Sequence, residues 1–348
     1  AVLGELCQRA RDGRYTPATG DWLEQACGER VAPALVDAAG SALDQSVVML
    51  RRSHRFAAGS GIGQLAEAVN AGDTARVGGI WRQAHADLAL LPLVGGDEPA
   101  FKSLIIDGGV ATTAAASALD RHRERDPAAA ASRLPQRKGY RHYLEVLREQ
   151  QPAPGGDQDA FDDWARAVLR AHGEFQVLCA LRRGPWGVAG LNQRIARALR
   201  EAGLLPASDG WYLGRPVLIT RNDYGLGLMN GDIGITLAVP CAGDEEWILR
   251  VAFPAGDASQ GIKWVLPSRL QAVETAYALT VHKSQGSEFT HAALLLPETL
   301  SPILTRELLY TGITRARAFL TVAMAGSGRL LEEAAQRQVL RASGLMAE

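Results

Sequence analysis

Residues 280–289, with the sequence TVHKSQGSEF, bring together the side chains that a phosphate or nucleic-acid site would need. An apolar strand leads into a polar loop, and in an open α/β sheet ligands bind at loops that follow the carboxyl ends of strands. Gly286 permits a left-handed turn or a close backbone approach, and Glu288 is an acceptor suited to a ribose hydroxyl. Each residue alone could belong to an ordinary polar loop, but five hydroxyl, amide and basic groups together favour ligand binding: Thr280, His282, Lys283, Ser284 and Gln285.

Residues 310–317, with the sequence YTGITRAR, form a second segment of this kind. Thr311 and Gly312 are small and lie one helical turn before Arg315, which leaves room for a guanidinium to meet a polyanion. Arg315 is therefore predicted to sense a phosphate group. The alternative is a surface arginine at the C-terminal end of a helix.

Arg55 has a similar setting near the other end of the chain. It follows an apolar run at residues 46–50 (SVVML) that is predicted to be a strand. Distant residues converge at the carboxyl edge of a parallel sheet, so Arg55 and Arg315 are both candidates for one ligand site. The alternative is a solvated cluster of Arg51, Arg52 and Arg55.

The sequence lacks both elements that would complete an ATPase site. No GxxxxGK[ST] segment occurs, and no apolar strand ends in an Asp-Glu pair. Without a phosphate cradle and a magnesium ligand, we expect this chain alone not to hydrolyse ATP. The histidines have no metal-ligand spacing and the four cysteines form no CxxC, so no metal site is predicted.

The composition is that of a globular chain. Apolar residues make up 47% of the 348, yet no apolar run approaches the roughly 20 residues that span a bilayer. The first residues also lack a signal-peptide pattern, so we expect a cytoplasmic protein. With a net charge of −1, any nucleic-acid contact must come from a local groove. The chain opens at Ala1 inside an expected helix, which predicts a fragment of a longer protein.

The hydrophobic pattern predicts an α/β fold. Strand, loop and helix are expected in three places, over residues 46–69, 176–199 and 276–324. The helix at 188–199 has an apolar stripe, and its arginines are expected on the solvated face: Arg194, Arg197 and Arg200. Residues 76–173 are expected to form surface helices and a loop of low functional content.

Residues 214–270 have a different pattern. Four short strands are predicted there, and Asn230-Gly231 is the favoured signal of a type I′ hairpin turn. A small β-barrel inserted within the α/β domain is the expected arrangement.

At this point the motifs resemble a known family. TVHKSQGSEF and LLYTGITRAR resemble motifs V and VI of superfamily 1 helicases, and SHRF at residues 53–56 resembles motif IV. Together with VLCALRRGPWGVAGLN and NDYGLGLMNGDIG, they resemble the RecD family, the alpha subunits of bacterial exodeoxyribonuclease V. The resemblance extends over nearly the whole chain and is weakest at residues 76–173.

The resemblance implies a motor of two RecA-like (P-loop NTPase-type) domains, with ATP and Mg²⁺ in the cleft between them, that moves 5′ to 3′ along single-stranded DNA. This chain would match the second RecA-like domain, with an SH3-like barrel inserted in it. The implied boundaries are 1–213 for the first part with its helical insertion, 214–270 for the barrel and 271–348 for the remainder. The main phosphate and metal ligands would lie upstream of Ala1.

The resemblance also implies roles for individual residues. Arg55 and Arg315 would be the catalytic arginines that reach the γ-phosphate of ATP. Further nucleotide contacts would come from Gln285, Gly286 and Glu288. Contacts to the DNA strand would come from Thr280, His282, Lys283 and Ser284.

The implied partners are DNA ends and the two larger subunits of the exodeoxyribonuclease V complex, in double-strand break repair and recombination. Two alternatives remain open. One is a stand-alone RecD-like helicase, and the other is a non-catalytic DNA-binding or scaffold module. An intact P-loop upstream of this chain would favour a motor over a scaffold.

Overall fold

A computed structural model describes most of the chain. It covers residues 7–49, 56, 57, 59–83, 85–93, 98–109, 137–241, 246–255 and 261–339. The chain divides into two compact units, Ala1–Ala57 with Gln338–Glu348, and Ala58–Arg337. In the smaller unit, helix α1 (Pro17–Cys27) begins at a Thr16 side-chain cap and ends at Gly28 in the left-handed conformation.

The larger unit contains a parallel five-stranded sheet. Its strand order is β1-β10-β9-β2-β8, and every neighbouring pair is parallel. Strands buried on both faces of a parallel sheet read as continuous apolar runs, as in AALLL of β9. The strand bounds are β1 Leu88–Pro92, β2 Phe175–Cys179, β8 Ala278–Thr280, β9 Phe289–Leu296 and β10 Ala316–Met324.

The register of these strands separates the two motif segments in space. Thr280, the last residue of β8, pairs with Cys179, which also pairs with Leu295 near the carboxyl end of β9. Strand β9 begins at Phe289, which pairs with Ala316 at the start of β10. Six residue steps along β9 correspond to about 20 Å. Residues 281–288 therefore cross from the carboxyl end of the sheet back to its amino end.

Helices with amphipathic sequences pack around this sheet. Helix α2 (Gly61–Ala71) begins at Ser60, whose side chain caps Gly63 N–H, so the glycine-rich segment GSGIG at residues 59–63 is the entry to a helix. In the described part of this unit the other α-helices are α3 Thr74–Ile80, α4 Glu98–Asp107, α5 Tyr140–Glu149, α6 Gln158–His172, α7 Val188–Glu201, α8 Arg306–Ile313 and α9 Leu330–Gln336.

A second sheet lies between β2 and β8 in sequence. It is antiparallel, with the order β6-β5-β4-β3-β7, and its core includes Val217, Val251 and Phe253. The predicted change to β structure in this region is confirmed, although the last strand extends beyond residue 270. The bounds are β3 Pro216–Ile219, β4 Ile233–Pro240, β5 Trp247–Pro254, β6 Ile262–Val265 and β7 Val273–Thr275.

The predicted hairpin at Asn230-Gly231 is wrong in detail. Strands β3 and β4 do pair, but residues 220–232 connect them. Gly231 has φ +108°, whereas Asn230 does not have the positive φ that a type I′ turn needs at both positions. The Asp232 carboxylate accepts from Met229 N–H at 2.7 Å and so favours a different local turn.

Two other sequence predictions fail for the part of the chain described. Residues 47–49 are not a strand, and the turn before them is a 3₁₀ helix, Asp44–Ser46. Residues 76–173 are not merely surface helices, because α4, α5 and α6 bury aromatic residues such as Phe101, Tyr140 and Trp164. This region also supplies β1, a five-residue apolar run that sequence periodicity could not distinguish from helix.

Candidate functional site

The segment at residues 280–284 begins the candidate site at the carboxyl end of β8. Thr280 is a buried cap whose Oγ1 accepts from Lys283 N–H at 3.3 Å, and it starts a 3₁₀ turn over Val281–Ser284. The His282 side chain is exposed, as a DNA contact would require. This turn fixes the direction in which His282 and Lys283 leave the sheet.

Ser284 does not meet the requirement for a DNA contact. Its side chain is 0% exposed, and its hydroxyl donates to the Val281 carbonyl oxygen at 2.8 Å. A buried hydroxyl that closes its own turn is structural. Ser284 therefore stabilises the turn that presents His282, and its buried hydroxyl is not available to DNA.

Lys283 contacts the second sheet. Its Nζ donates to Oδ1 of Asn230 at 2.6 Å, and Asn230 lies in the β3–β4 connection. The segment that follows β8 is thus tied to the connection that follows β3. In the sequence Asn230 has only a turn signal, because no local pattern can indicate a partner 53 positions away.

Residues 285–288 form the exposed part of the crossover. Three residues here are solvent-exposed: Gln285, Gly286 and Glu288. Gly286 has φ +87°, a backbone conformation that would be strained for a residue with a side chain. Glu288 lies beside Arg317, with Oε2 and Nε 3.9 Å apart. The Glu288 carboxylate, just before β9, therefore lies close to the guanidinium of Arg317 near the start of β10.

Arg315 lies between the end of α8 and the start of β10, and it contacts the crossover directly. Its Nε donates to the Thr311 carbonyl oxygen at 3.0 Å, and its Nη1 donates to the Ser287 carbonyl oxygen at 3.0 Å. Its Nη2 donates to Thr314 Oγ1 at 3.3 Å. Helix α8 ends at Ile313 and β10 begins at Ala316, so Arg315 lies in the short connection and not in a helix.

The structure therefore brings Arg315 close to the end of the crossover and separates it from Thr280. Arg315 and Glu288 lie at the amino end of the sheet, whereas Thr280 and His282 lie at the carboxyl end. The expectation of one ligand edge shared by all these residues is wrong, because the crossover spans the sheet. Arg55 lies outside the described residues.

A cleft of about 390 Å³ opens beside Thr280 and Lys283. Helix α7, strand β8 and part of the second sheet line it, and Arg182 contributes a further cation. Asn192 of α7 forms a two-way pair with Ala278: its Nδ2 donates to the carbonyl oxygen at 3.2 Å, and its Oδ1 accepts from the N–H at 2.9 Å. The Asn192 side-chain amide therefore makes the two hydrogen bonds to β8 that the backbone of a neighbouring strand would otherwise make.

Neither Arg182 nor Asn192 is among the site residues predicted from the sequence. Arg182 follows β2 at its carboxyl end, which is the position that could have identified it. Asn192 is a polar residue on the apolar stripe of α7, and that break in the pattern was the available signal.

The described residues fit one side of a nucleotide site better than a metal site. An arginine and a carboxylate are available at the amino end of the sheet, and arginine suits a terminal phosphate. Within the described ranges, no group of three or more His, Cys, Asp or Glu could hold a metal ion. Nor does any helix in the part that the structure describes have the length and apolarity to cross a membrane.

Comparison with known proteins identifies relatives. Residues 275–323 match the model of the UvrD-like helicase C-terminal domain, which covers β8, β9 and most of β10. RecBCD enzyme subunit RecD of Haemophilus influenzae is 33% identical over 99% of this chain and 47% of its own length. The RecD subunit of Mycobacterium tuberculosis is 35% identical over 99% of this chain and 50% of its own length. The ATP-dependent RecD2 DNA helicase of Deinococcus radiodurans is 34% identical over 49% of this chain and 22% of its own length.

This chain spans about half the length of the curated RecD relatives that it matches. The RecD2 match covers a smaller part of both sequences. The resemblance predicted from the motifs is therefore confirmed: nearly the whole chain is similar to RecD, and residues 275–323 match a helicase C-terminal domain.

Proposed function

We propose that this chain is the second motor half of an ATP-dependent 5′–3′ DNA helicase, the alpha subunit of an exodeoxyribonuclease V complex. It would act with the two larger subunits on DNA ends, in double-strand break repair and recombination. The similarity to RecD over 99% of the chain supports this reading. The observation that carries it is the crossover at residues 281–288, which runs from the carboxyl end of β8 to a segment that Arg315 holds at the amino end of the sheet.

In this proposal the amino end of the sheet faces the nucleotide. Arg315 stabilises charge that develops on the γ-phosphate, and Glu288 accepts from the ribose, with Gln285 and Gly286 alongside. Arg55 is the proposed second arginine. ATP with Mg²⁺ supplies the phosphoryl group and its counter-charge when bound, and the main phosphate and metal ligands belong to the first motor domain.

The carboxyl end of the sheet faces the DNA. His282 is exposed, Lys283 and Arg182 supply cations, and Thr280 orients the turn that carries the first two. Contacts of this kind bind phosphates and bases with little dependence on sequence. A conformational change at the nucleotide-binding end of the sheet is transmitted to His282 and Lys283 along the crossover, residues 281–288.

The proposed domain division follows from the same resemblance. Residues 1–213 and 271–348 would form the second RecA-like domain, and residues 214–270 would form the SH3-like barrel. The antiparallel sheet in this region supports an inserted β domain, and its last strand suggests that the insertion continues to Thr275.

The test is DNA-stimulated ATP hydrolysis by the full-length protein that contains this chain. Arg315→Ala is expected to lower turnover about 10³-fold, as removal of an arginine finger does, while nucleotide binding persists. Arg329→Ala is the matched control, because it removes an exposed arginine that lies outside residues 280–289 and 310–317. Thermal unfolding checks that both variants fold. Near wild-type turnover in a folded Arg315→Ala protein would contradict the assignment.

A stand-alone RecD-like helicase is the second candidate, because part of the chain is similar to a RecD2 helicase. The two candidates differ in their partners. Co-purification of the full-length protein with two larger subunits supports the complex, whereas a monomer that unwinds DNA unaided supports the stand-alone motor.

A further inference from the structure

The connection between β3 and β4 contains a tightly held loop at residues 223–228. Asp223 and Leu228 exchange backbone hydrogen bonds at 2.8 and 2.9 Å, and Asp223 Oδ1 accepts from Leu226 N–H at 3.0 Å. Lys263 of β6 donates to the carbonyl oxygens of Leu226 and Gly227 at 2.8 and 2.9 Å. A loop closed by backbone, carboxylate and lysine contacts has a defined shape.

This loop holds the ring of Tyr224 in solvent. Tyr224 is 78% exposed, and Asn222 Nδ2 donates to its hydroxyl at 3.2 Å. An exposed ring contributes little to the core, and side chains presented on ordered loops are frequent binding groups. A single exposed aromatic residue is common on protein surfaces, so its surroundings must decide its role.

Hydrogen bonds connect Tyr224 to Lys283 in the segment that follows β8. Asn222 Oδ1 accepts from Asn230 N–H at 2.8 Å, and Asn230 Oδ1 accepts from Lys283 Nζ at 2.6 Å. The ring of Tyr224 is thus connected to Lys283 through two asparagines. Arg221, next to Asn222 in sequence, is also exposed, so a second basic side chain is available in this connection.

We propose that Tyr224 is a stacking platform for one nucleobase of the single strand bound by His282 and Lys283. Every base has a π face, so an oriented aromatic ring binds single-stranded DNA without reading its sequence. Lys283 and Arg221 neutralise phosphates on either side of the stacked base. The inference rests on the proposed DNA-binding function and adds a contact on the second sheet.

The experiment measures binding of labelled oligothymidylate to the full-length protein by fluorescence anisotropy. Tyr224→Ala is expected to weaken binding about tenfold, and Tyr224→Phe and Tyr224→Trp are expected to retain near wild-type affinity because they keep a planar ring. Met229→Ala is the matched control, since Met229 is an exposed apolar residue of the same connection that lacks a ring.

An oligomer of abasic sites distinguishes stacking from a general loss of binding. Tyr224→Ala should not weaken binding to that strand further, because it offers no base to stack. Wild-type affinity of Tyr224→Ala for oligothymidylate would overturn the inference, and so would an equal loss on both strands. If only the association with partner subunits were lost, the ring would be a protein contact and the inference would fail.

The outcome also separates this inference from the proposed function. If the wild-type protein binds oligothymidylate and His282→Ala weakens that binding, the DNA site stands whatever Tyr224→Ala does. If the wild-type protein binds no single strand, both fail together.

Discussion

Arg315 and Ser287, 28 positions apart, are joined by a 3.0 Å hydrogen bond from the guanidinium Nη1 to the carbonyl oxygen. A second backbone contact lies beside it, because Phe289 N–H donates to the Arg315 carbonyl oxygen at 2.9 Å. The arginine proposed to sense phosphate therefore also holds the end of the crossover that begins at Thr280. A movement of Arg315 towards a phosphate would release or pull this segment.

The first prediction is that Arg315 couples nucleotide binding to DNA binding. In the full-length protein, Arg315→Ala should leave nucleotide-free affinity for single-stranded DNA within about twofold of wild type. The change in that affinity on adding a non-hydrolysable ATP analogue should be lost, because coupling requires an element that both ligands bias. Arg329→Ala, at an exposed arginine outside both motif segments, should keep the change. A nucleotide-dependent shift that survives in Arg315→Ala would contradict this role.

The second prediction concerns Asn192 as a positioning residue for β8. The Asn192→Asp variant keeps the acceptor for Ala278 N–H but sets a carboxylate against the Ala278 carbonyl oxygen. Buried charge without a partner is costly, so DNA affinity at pH 8 should fall about tenfold. Lowering the pH should restore it, since the protonated carboxyl can donate as the amide does.

The control for this prediction is Gln193→Glu, which makes the same charge change at an exposed position on the same helix and also lines the cleft. The measurement is the ratio of variant to wild-type affinity for single-stranded DNA between pH 5 and pH 8. A ratio that is flat for Asn192→Asp, or equally pH-dependent for Gln193→Glu, would show that Asn192 does not act through β8.

Local periodicity and motif resemblance predicted the parts of the fold that depend on neighbours in sequence. Helix α7 has the expected apolar stripe, with Leu191, Ile195 and Leu199 buried. The β-rich region also lies where the change of period indicated. Both follow from spacing of 3.6 or 2 residues, which is visible in any short window.

Contacts between distant segments could not be predicted in this way. Arg194 was expected in solvent, but its partners come from other elements, and Phe101 is 93 positions away. Serine is a residue type that can contact DNA, so the sequence alone allowed that role for Ser284. The structure shows that its hydroxyl instead donates to the Val281 carbonyl oxygen inside the turn. The separation of Arg315 from Thr280 depends on strand register, which the sequence of one strand does not encode.

The third prediction is that Arg194 stabilises the packing of α4 on α7. Its guanidinium lies 4.3 Å from the Phe101 ring centroid and 4.6 Å from that of Trp186, and it pairs with Glu98 at 2.8 Å. The side chain is only 19% exposed, so these contacts are partly desolvated. Arg194→Ala should therefore lower the free energy of unfolding by about 2 kcal/mol.

Urea unfolding measures this loss, and Arg197→Ala is the matched control on an exposed position of the same helix. The control should change stability by less than about 0.5 kcal/mol. An equal loss of unfolding free energy in the two variants would contradict the prediction, because the contacts of Arg194 with Phe101 and Trp186 would then add no stability.

The last prediction concerns the pH dependence of stability. Burial lowers the pKa of His172 to about 4, and its Nε2 makes no hydrogen bond. In the unfolded chain a histidine has a pKa of about 6.5, so the unfolded state binds the proton first as pH falls. Stability is therefore complete above about pH 6.5 and declines towards pH 4, by about 3 kcal/mol for this one residue. Burial lowers the pKa of His291 to about 4 as well, so His291 adds to the decline.

His172→Phe should reduce the slope of unfolding free energy against pH by the equivalent of about one proton, because phenylalanine does not titrate. Phenylalanine can also keep the ring contacts with Tyr140 and Tyr143. Denaturant unfolding at pH 7.5 and pH 5 measures the slope for wild type and variant. An unaltered slope in His172→Phe would mean that His172 is protonated in the folded state or is not buried as the structure has it.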